Sequence, residues 1–139
     1  MMKPIASIYF VVSFLLFVTV SCKKKCSNVT GGGKGGSVII KITPEHESHL
    51  VDSSTVYIKY GYTSSTPPAN GVYDDSVVCV LVDSLPVATF SNLTTGNYYF
   101  LAKGRISSIS PPTVEGALPI TICNDGDYSY YLSTGQYYP

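Results

Sequence analysis

Phe90-Ser91-Asn92-Leu93-Thr94-Thr95-Gly96-Asn97-Tyr98-Tyr99-Phe100 reads as a strand, a corner and a second strand. Phe90 and Leu93 are placed to bury as the chain leaves one sheet. Gly96 suits the turn. Tyr98, Phe100 and Ala102 then alternate onto one face of the next strand. A tyrosine at such a corner buries its ring and turns its hydroxyl toward nearby backbone.

The same period of two extends outward from this corner. Val38, Ile40 and Ile42 alternate with Ile39, Lys41 and Thr43, and Val56, Ile58 and Tyr60 alternate with Tyr57 and Lys59. Further strands are expected near residues 87–91, 97–103, 118–123 and 128–133. Residues 77–82 are apolar at every position, which predicts a central or fully covered strand. Turn-forming clusters separate these runs at 66–71, 94–97, 110–112 and 124–127. No helix of useful length is expected after residue 21, and no internal repeat is found. Roughly seven short strands in about 100 residues imply an all-β fold, a single antiparallel β-sandwich.

The stretch from Phe90 to Phe100 resembles the "nLxxGxYxf" signature of prealbumin-like β-sandwich modules. These include the carboxypeptidase regulatory-like and collagen-binding B-type repeats. Phe90, Leu93, Gly96 and Tyr98 stand at its defining positions. Residues 36–42 and 56–60 match the first two strands of that pattern, so the resemblance covers residues 37–104. The departure is segment 61–76, which is longer and richer in Pro and Gly. The resemblance implies a fold and no particular ligand.

The amino-terminal end carries a different message. Lys3 precedes an uncharged, largely apolar run over residues 5–20, then Ser21-Cys22, then Lys23-Lys24-Lys25. A positive start, an apolar stretch and a small residue before a break make a secretory signal. With the break at a cysteine, it resembles a bacterial lipoprotein signal peptide. The resemblance implies a leader over residues 1–21 and a diacylglyceryl thioether on Cys22, with added acyl chains of the palmitate kind. It implies attachment to a membrane of the cell envelope, the outer membrane first, on the periplasmic or the surface side. Bases after Cys22, where surface export in some such bacteria uses acids, favour the periplasmic side. Two other readings stand beside it: simple secretion by cleavage after Ser21, and an uncleaved anchor, for which the run is short of the roughly 20 residues a spanning helix needs.

Charge and composition divide the remainder into a tether at 22–36 and a head at 37–139. Residues 23–36 hold four lysines and no acid, and residues 31–36 include five glycines, so a flexible basic linker is expected. The lysines would add attraction to anionic lipid. From Ser37 onward four bases meet nine acids, a formal charge of −5. Such a head lacks the basic surface that follows a phosphate backbone, so nucleic acid is not an expected partner.

Residues that carry chemistry are few. If Cys22 is acylated, Cys26, Cys79 and Cys123 remain. Cys79 and Cys123 lie on expected strands and are a candidate inter-sheet disulfide, or else two buried inert thiols. Cys26 is then the free thiol on the tether. His46, Glu47 and His49, in the expected loop 45–52, are a candidate metal set without the zincin spacing. Asn124-Asp125-Gly126-Asp127 lacks the spacing and distal glutamate of a calcium loop. Asp75-Ser76-Val77 and Asp83-Ser84-Leu85 each resemble the acceptor of a bacterial O-glycosylation system, with Ser76 and Ser84 as the sites. No serine has a Gly-x-Ser-x-Gly context, Arg105 is the lone arginine, and no cofactor is implied. The chain has 12 tyrosines and no tryptophan. Alternation sends Tyr57 and Tyr131 outward, where they suit glycan or protein contact, and Tyr60, Tyr128 and Tyr130 inward. The expected role is a non-catalytic, tethered binding or accessory module for a protein or glycan. Metal or small-ligand binding through 45–52, and carbohydrate binding through exposed tyrosines, are the alternatives.

Overall fold

The computed structural model describes residue 26 and residues 29–47 and 49–136. The expected leader and Cys22 lie outside the described residues. Ten strands follow in order: β1 (Lys34–His46), β2 (His49–Leu50), β3 (Ser53–Tyr60), β4 (Asp75–Val78), β5 (Val80–Val82), β6 (Leu85–Leu93), β7 (Gly96–Arg105), β8 (Thr113–Ile122), β9 (Asp127–Ser133) and β10 (Gly135–Gln136). Among the described residues there is no helix.

The strands form two five-stranded sheets. One runs β2-β1-β6-β5, with β9 also on β1; the other runs β10-β8-β7-β3-β4. Every pairing is antiparallel except β1 with β9, which is parallel from Ile39↔Asp127 to Glu45↔Ser133. The exception follows from the connection. The chain leaves β8 in the second sheet, crosses by residues 123–126, and enters the first sheet alongside β1 in the same direction.

One core lies between the sheets, in a sandwich-like arrangement. Val38, Ile40, Ile42, Ala88, Phe90, Leu93 and Leu132 come from the first sheet; Val56, Ile58, Tyr98, Phe100, Ala102 and Ile122 come from the second. The alternation that predicted strands is the alternation that fills this core. Phe90 meets Phe100 across it at 5.3 Å between ring centres, tilted by 61°. Tyr60, Tyr128 and Tyr130 pack against it, as alternation predicts. Burying each large side chain here stabilises the fold by roughly 1.5–3 kcal/mol.

The strand covered on both faces is β7, not residues 77–82. Tyr99 and Leu101 point away from the core yet are buried, at 0% and 3% exposure. The 61–74 connection lies over them: Tyr62 meets Tyr99 edge-on at 5.5 Å, and Ser65 and Pro67 share a shallow cleft with Tyr99 and Leu101. Asp74 holds the end of this flap. Its carboxylate accepts from the Tyr60 amide at 2.7 Å and from Lys59 Nζ at 3.0 Å.

Residues 77–82, expected to be one covered strand, are split. Val77 and Val78 belong to β4, on the edge of the second sheet; the last three residues form β5, on the edge of the first. Cys79 marks the switch, with its amide bonded to Ser54 O at 2.9 Å. An uninterrupted apolar run therefore closes one side of the sandwich and leaves four of its six side chains in solvent.

The Gly-rich stretch expected to be free linker is folded. β1 begins at Lys34, and residues 29–33 lie as a strap against the corner between β6 and β7. Gly31 O accepts from the Asn97 amide at 2.6 Å, Gly33 O from the Thr94 amide at 2.9 Å, and Val29 O from Asn97 Nδ2 at 3.1 Å. Asn97 ties in the flap as well, its carbonyl accepting from the Gly61 amide at 2.8 Å. A Cβ on Gly96 would sit 2.6 Å from Gly31 O and 2.7 Å from Gly32 N. The glycine at this corner therefore serves close backbone approach, not the turn expected of it. The head starts at the strap, ahead of the residue 37 boundary.

Candidate binding surface

The pairing of Cys26, Cys79 and Cys123 differs from the expectation. Cys26 is bonded to Cys123, with Cα atoms 5.6 Å apart. The proposed Cys79–Cys123 bridge is therefore replaced by Cys26–Cys123, and the expected free thiol moves from Cys26 to Cys79. The physical reason is position: Cys123 ends β8 at the same end of the sandwich as the strap, whereas Cys79 sits on the edge opposite. Burial pushes the Cys79 thiol above its usual range, which keeps it protonated at neutral pH.

The signature residues come together at one corner. Phe90, Leu93 and Tyr98 are buried in the core. The Tyr98 hydroxyl donates to Thr94 O at 2.5 Å and accepts from the Gly33 amide at 3.2 Å. The expected hydroxyl-to-backbone bond is thus made, and it also holds the strap. At the opposite end, Val51, Ile106 and Val114 form a second small core with Ile109 against it. Asp52 accepts there from the amide and hydroxyl of Ser107, both at 2.7 Å.

The histidines face each other as register partners across β1 and β2, with Glu47 in the turn at φ 46°. His46 is buried, and its Nδ1 lies 2.7 Å from Thr134 O, so that nitrogen carries the proton and donates. His49 is exposed. Among the described residues no three His, Cys, Asp or Glu side chains gather as a metal-binding group. The loop expected over 45–52 is therefore a tight hairpin with one histidine built into the fold.

Ser76 and Ser84 are both exposed. Ser76 lies on the β4 edge, and Ser84 is in the turn between β5 and β6, where Asp83 and Ser84 have φ of 49° and 68°. Two successive positive values make the type I′ hairpin turn. Tyr131 is 61% exposed; Tyr57, also directed outward, is half-covered by Tyr73 at 5.5 Å. Tyr57 and Tyr73 join Asp74, Asp75 and Ser76 around a cleft of about 340 Å³. Lys34 closes an ion pair on Asp75 at 3.0 Å. That bond, with the Ser76 amide, holds the Asp75 carboxyl below the usual carboxylate range.

The largest apolar exposure is elsewhere, on the β4–β5 edge. Val78, Val80, Leu81 and Val82 are 67%, 62%, 74% and 48% exposed. Sequence reasoning missed this surface because it counted apolar positions without asking where the run is cut. The Val82-Asp83-Ser84-Leu85 turn was the available signal: a tight hairpin there makes the preceding residues partner to one neighbour only. Backbone geometry adds detail. In a two-residue hairpin Val82 and Leu85 exchange hydrogen bonds, so the next pair, Leu81↔Pro86, does not. Pro86 has no amide to give, which suits that position. The Leu81 amide and carbonyl therefore face away from β6, and among the described residues no strand pairs with that side. Edges of this kind usually carry a lysine, a proline or a cover; residues 76–82 carry no charge and no proline. Compared with protein-family models, with curated proteins and with solved structures, the chain matches none.

Proposed function

We propose that this chain is a lipid-anchored protein of the bacterial cell envelope, acylated on Cys22, whose prealbumin-like head is a non-catalytic binding or accessory module. The observation that carries the reading is the leader-like sequence ending at Ser21-Cys22, three lysines ahead of Cys26, which is bonded to the β head through Cys123. A thioether-linked diacylglycerol supplies the anchor, and Lys23, Lys24 and Lys25 add about 1 kcal/mol each beside anionic lipid. The exposed apolar edge gives the head a surface suited to protein contact.

The test is the intact mass of the protein extracted from membranes, with and without reduction. A mass equal to residues 22–139 plus acyl chains supports the anchor, and a gain of two hydrogens on reduction accompanies the Cys26–Cys123 bond. The bare mass of residues 22–139, or of the uncleaved chain, overturns it. A second reading, carbohydrate binding, is favoured by the Tyr57–Tyr73 cleft with its carboxylates. Glycan-array binding lost in Tyr73→Ala would support that reading; an array without signal would sink it.

A further inference from the structure

We propose that the β4–β5 edge accepts an extended strand from a different envelope protein, apolar at alternate residues and basic where it passes Asp83, and that the anchoring geometry denies the edge to a second copy on the same membrane. The second clause rests on the anchor reading above.

The edge supplies the chemistry. Leu81 offers an outward donor and acceptor, and Val80, Leu81 and Val82 offer alternating apolar side chains on the two faces. An added strand gains affinity from main-chain bonds and specificity from such side chains. The run is bounded by Asp75, already paired with Lys34, and by exposed Asp83. With a formal charge of −4 over residues 26–139, the complement is a basic residue, not another Asp83.

The leash decides between partners. Because Cys26 is bonded to the head, only Lys23, Lys24 and Lys25 separate the fold from Cys22. Four extended steps reach about 14 Å. The end carrying Cys123 and the start of β1 is thereby held at the bilayer. β1 has 13 residues, a length of about 43 Å at 3.3 Å per residue. β4 starts at the anchored end, with Asp75 opposite Ile58, and β5 runs away from it, so the edge stands upright. Two copies sharing this edge about a two-fold axis must set their edge strands antiparallel. That inverts one head and lifts its Cys26 farther from the bilayer than its leash can span. A foreign segment has no such restraint.

The experiment places a benzoylphenylalanine photo-crosslinker at Val82 in the full acylated chain in its own cells, with adducts mapped by peptide mass. The expected adduct lies in an extended apolar segment of one other protein, with a basic residue near the crosslink. Leu81→Pro, which removes the outward amide and leaves the β5–β6 bonds, lowers its yield at least tenfold. Asp83→Asn, which keeps the left-handed turn, lowers it severalfold and blunts its salt dependence. This second variant keeps the test decisive should Leu81→Pro lose its thermal transition. Adducts to a second copy, adducts only to lipid, no adduct, or a yield indifferent to both variants would each overturn the proposal. If intact mass shows no acyl chain while the foreign-strand adduct persists, the anchor reading falls and the strand acceptor stands.

Discussion

Tyr98 and Tyr99 are adjacent in β7 and equally buried, but their hydroxyls have opposite circumstances. Tyr98 bonds Thr94 O and Gly33 N; the Tyr99 hydroxyl is buried under the flap with no hydrogen-bond partner among the described residues. A buried hydroxyl without a partner costs about 1–3 kcal/mol, while one that is bonded contributes about 1 kcal/mol. Tyr98→Phe should therefore destabilise by about 1–2 kcal/mol, and Tyr99→Phe should be neutral or stabilise by about 1 kcal/mol. Urea unfolding of both variants reads the two signs directly.

The Cys26–Cys123 bond closes a separation of 97 residues. Chain-entropy arguments give such a loop about 4–5 kcal/mol, and measured cases fall nearer 2–4. Cys26→Ser should lower stability by about 3 kcal/mol, and reduction of the wild type should match it. Cys79→Ala should cost about 1 kcal/mol or less at its half-covered site. Equal effects at the two positions would contradict this pairing.

Gly96→Ala sets a methyl against the backbone of the strap. Overpacking typically costs about 1–3 kcal/mol, and relief requires the strap to move. The expected result is a loss of about 2 kcal/mol with faster hydrogen exchange at the Asn97 amide, whose acceptor is Gly31 O. Unchanged exchange there would show that the strap does not depend on this contact.

Three carboxyls make stability fall in acid, one of them Asp74, which against the effect of its burial is held low by the Tyr60 amide and Lys59. Asp75 is held below its usual range by Lys34 and the Ser76 amide, and Asp52 by the hydroxyl and amide of Ser107. A depressed folded value means the stabilisation is complete above the unfolded value, near 3.9, and is lost as pH falls through the folded one. All three groups are solvent-accessible, so the effect is small. The advantage of wild type over Asp75→Asn should be constant from neutral pH to about pH 5 and be lost as the pH falls through the depressed folded value. A midpoint difference in urea that grows on acidification would reverse the sign.

Strand positions and core faces were legible because period two survives wherever one side of a strand meets the core: Val38, Ile40, Ile42, Val56, Ile58, Tyr98 and Phe100 are all buried as alternation placed them. Residues 77–82 misled because unbroken apolarity describes a strand that is covered and one that changes sheets equally well; pairing partners, not composition, decide. The Gly-rich segment misled for a related reason. Glycine content signals freedom when nothing is near, and close packing when backbone is near, and only the fold brings Gly96 against Gly32. The disulfide turned on the same unseen proximity. His46 reads as a ligand beside Glu47 and His49, yet its partner is Thr134, whose carbonyl lies far along the chain.

The covalent ring that Cys26 and Cys123 close has a mechanical meaning. A pull between the N-terminus and the chain's end passes from Cys26 through the sulfurs into residue 123, bypassing everything between. β1 lies inside the ring, so such tension cannot peel it from β6 and β9 as it would an ordinary first strand. Only the last segment, with β9 seated beside β1, stands in the path of the force. Reduction would move the point of attack to the strap and expose β1 to unzipping from its first residue.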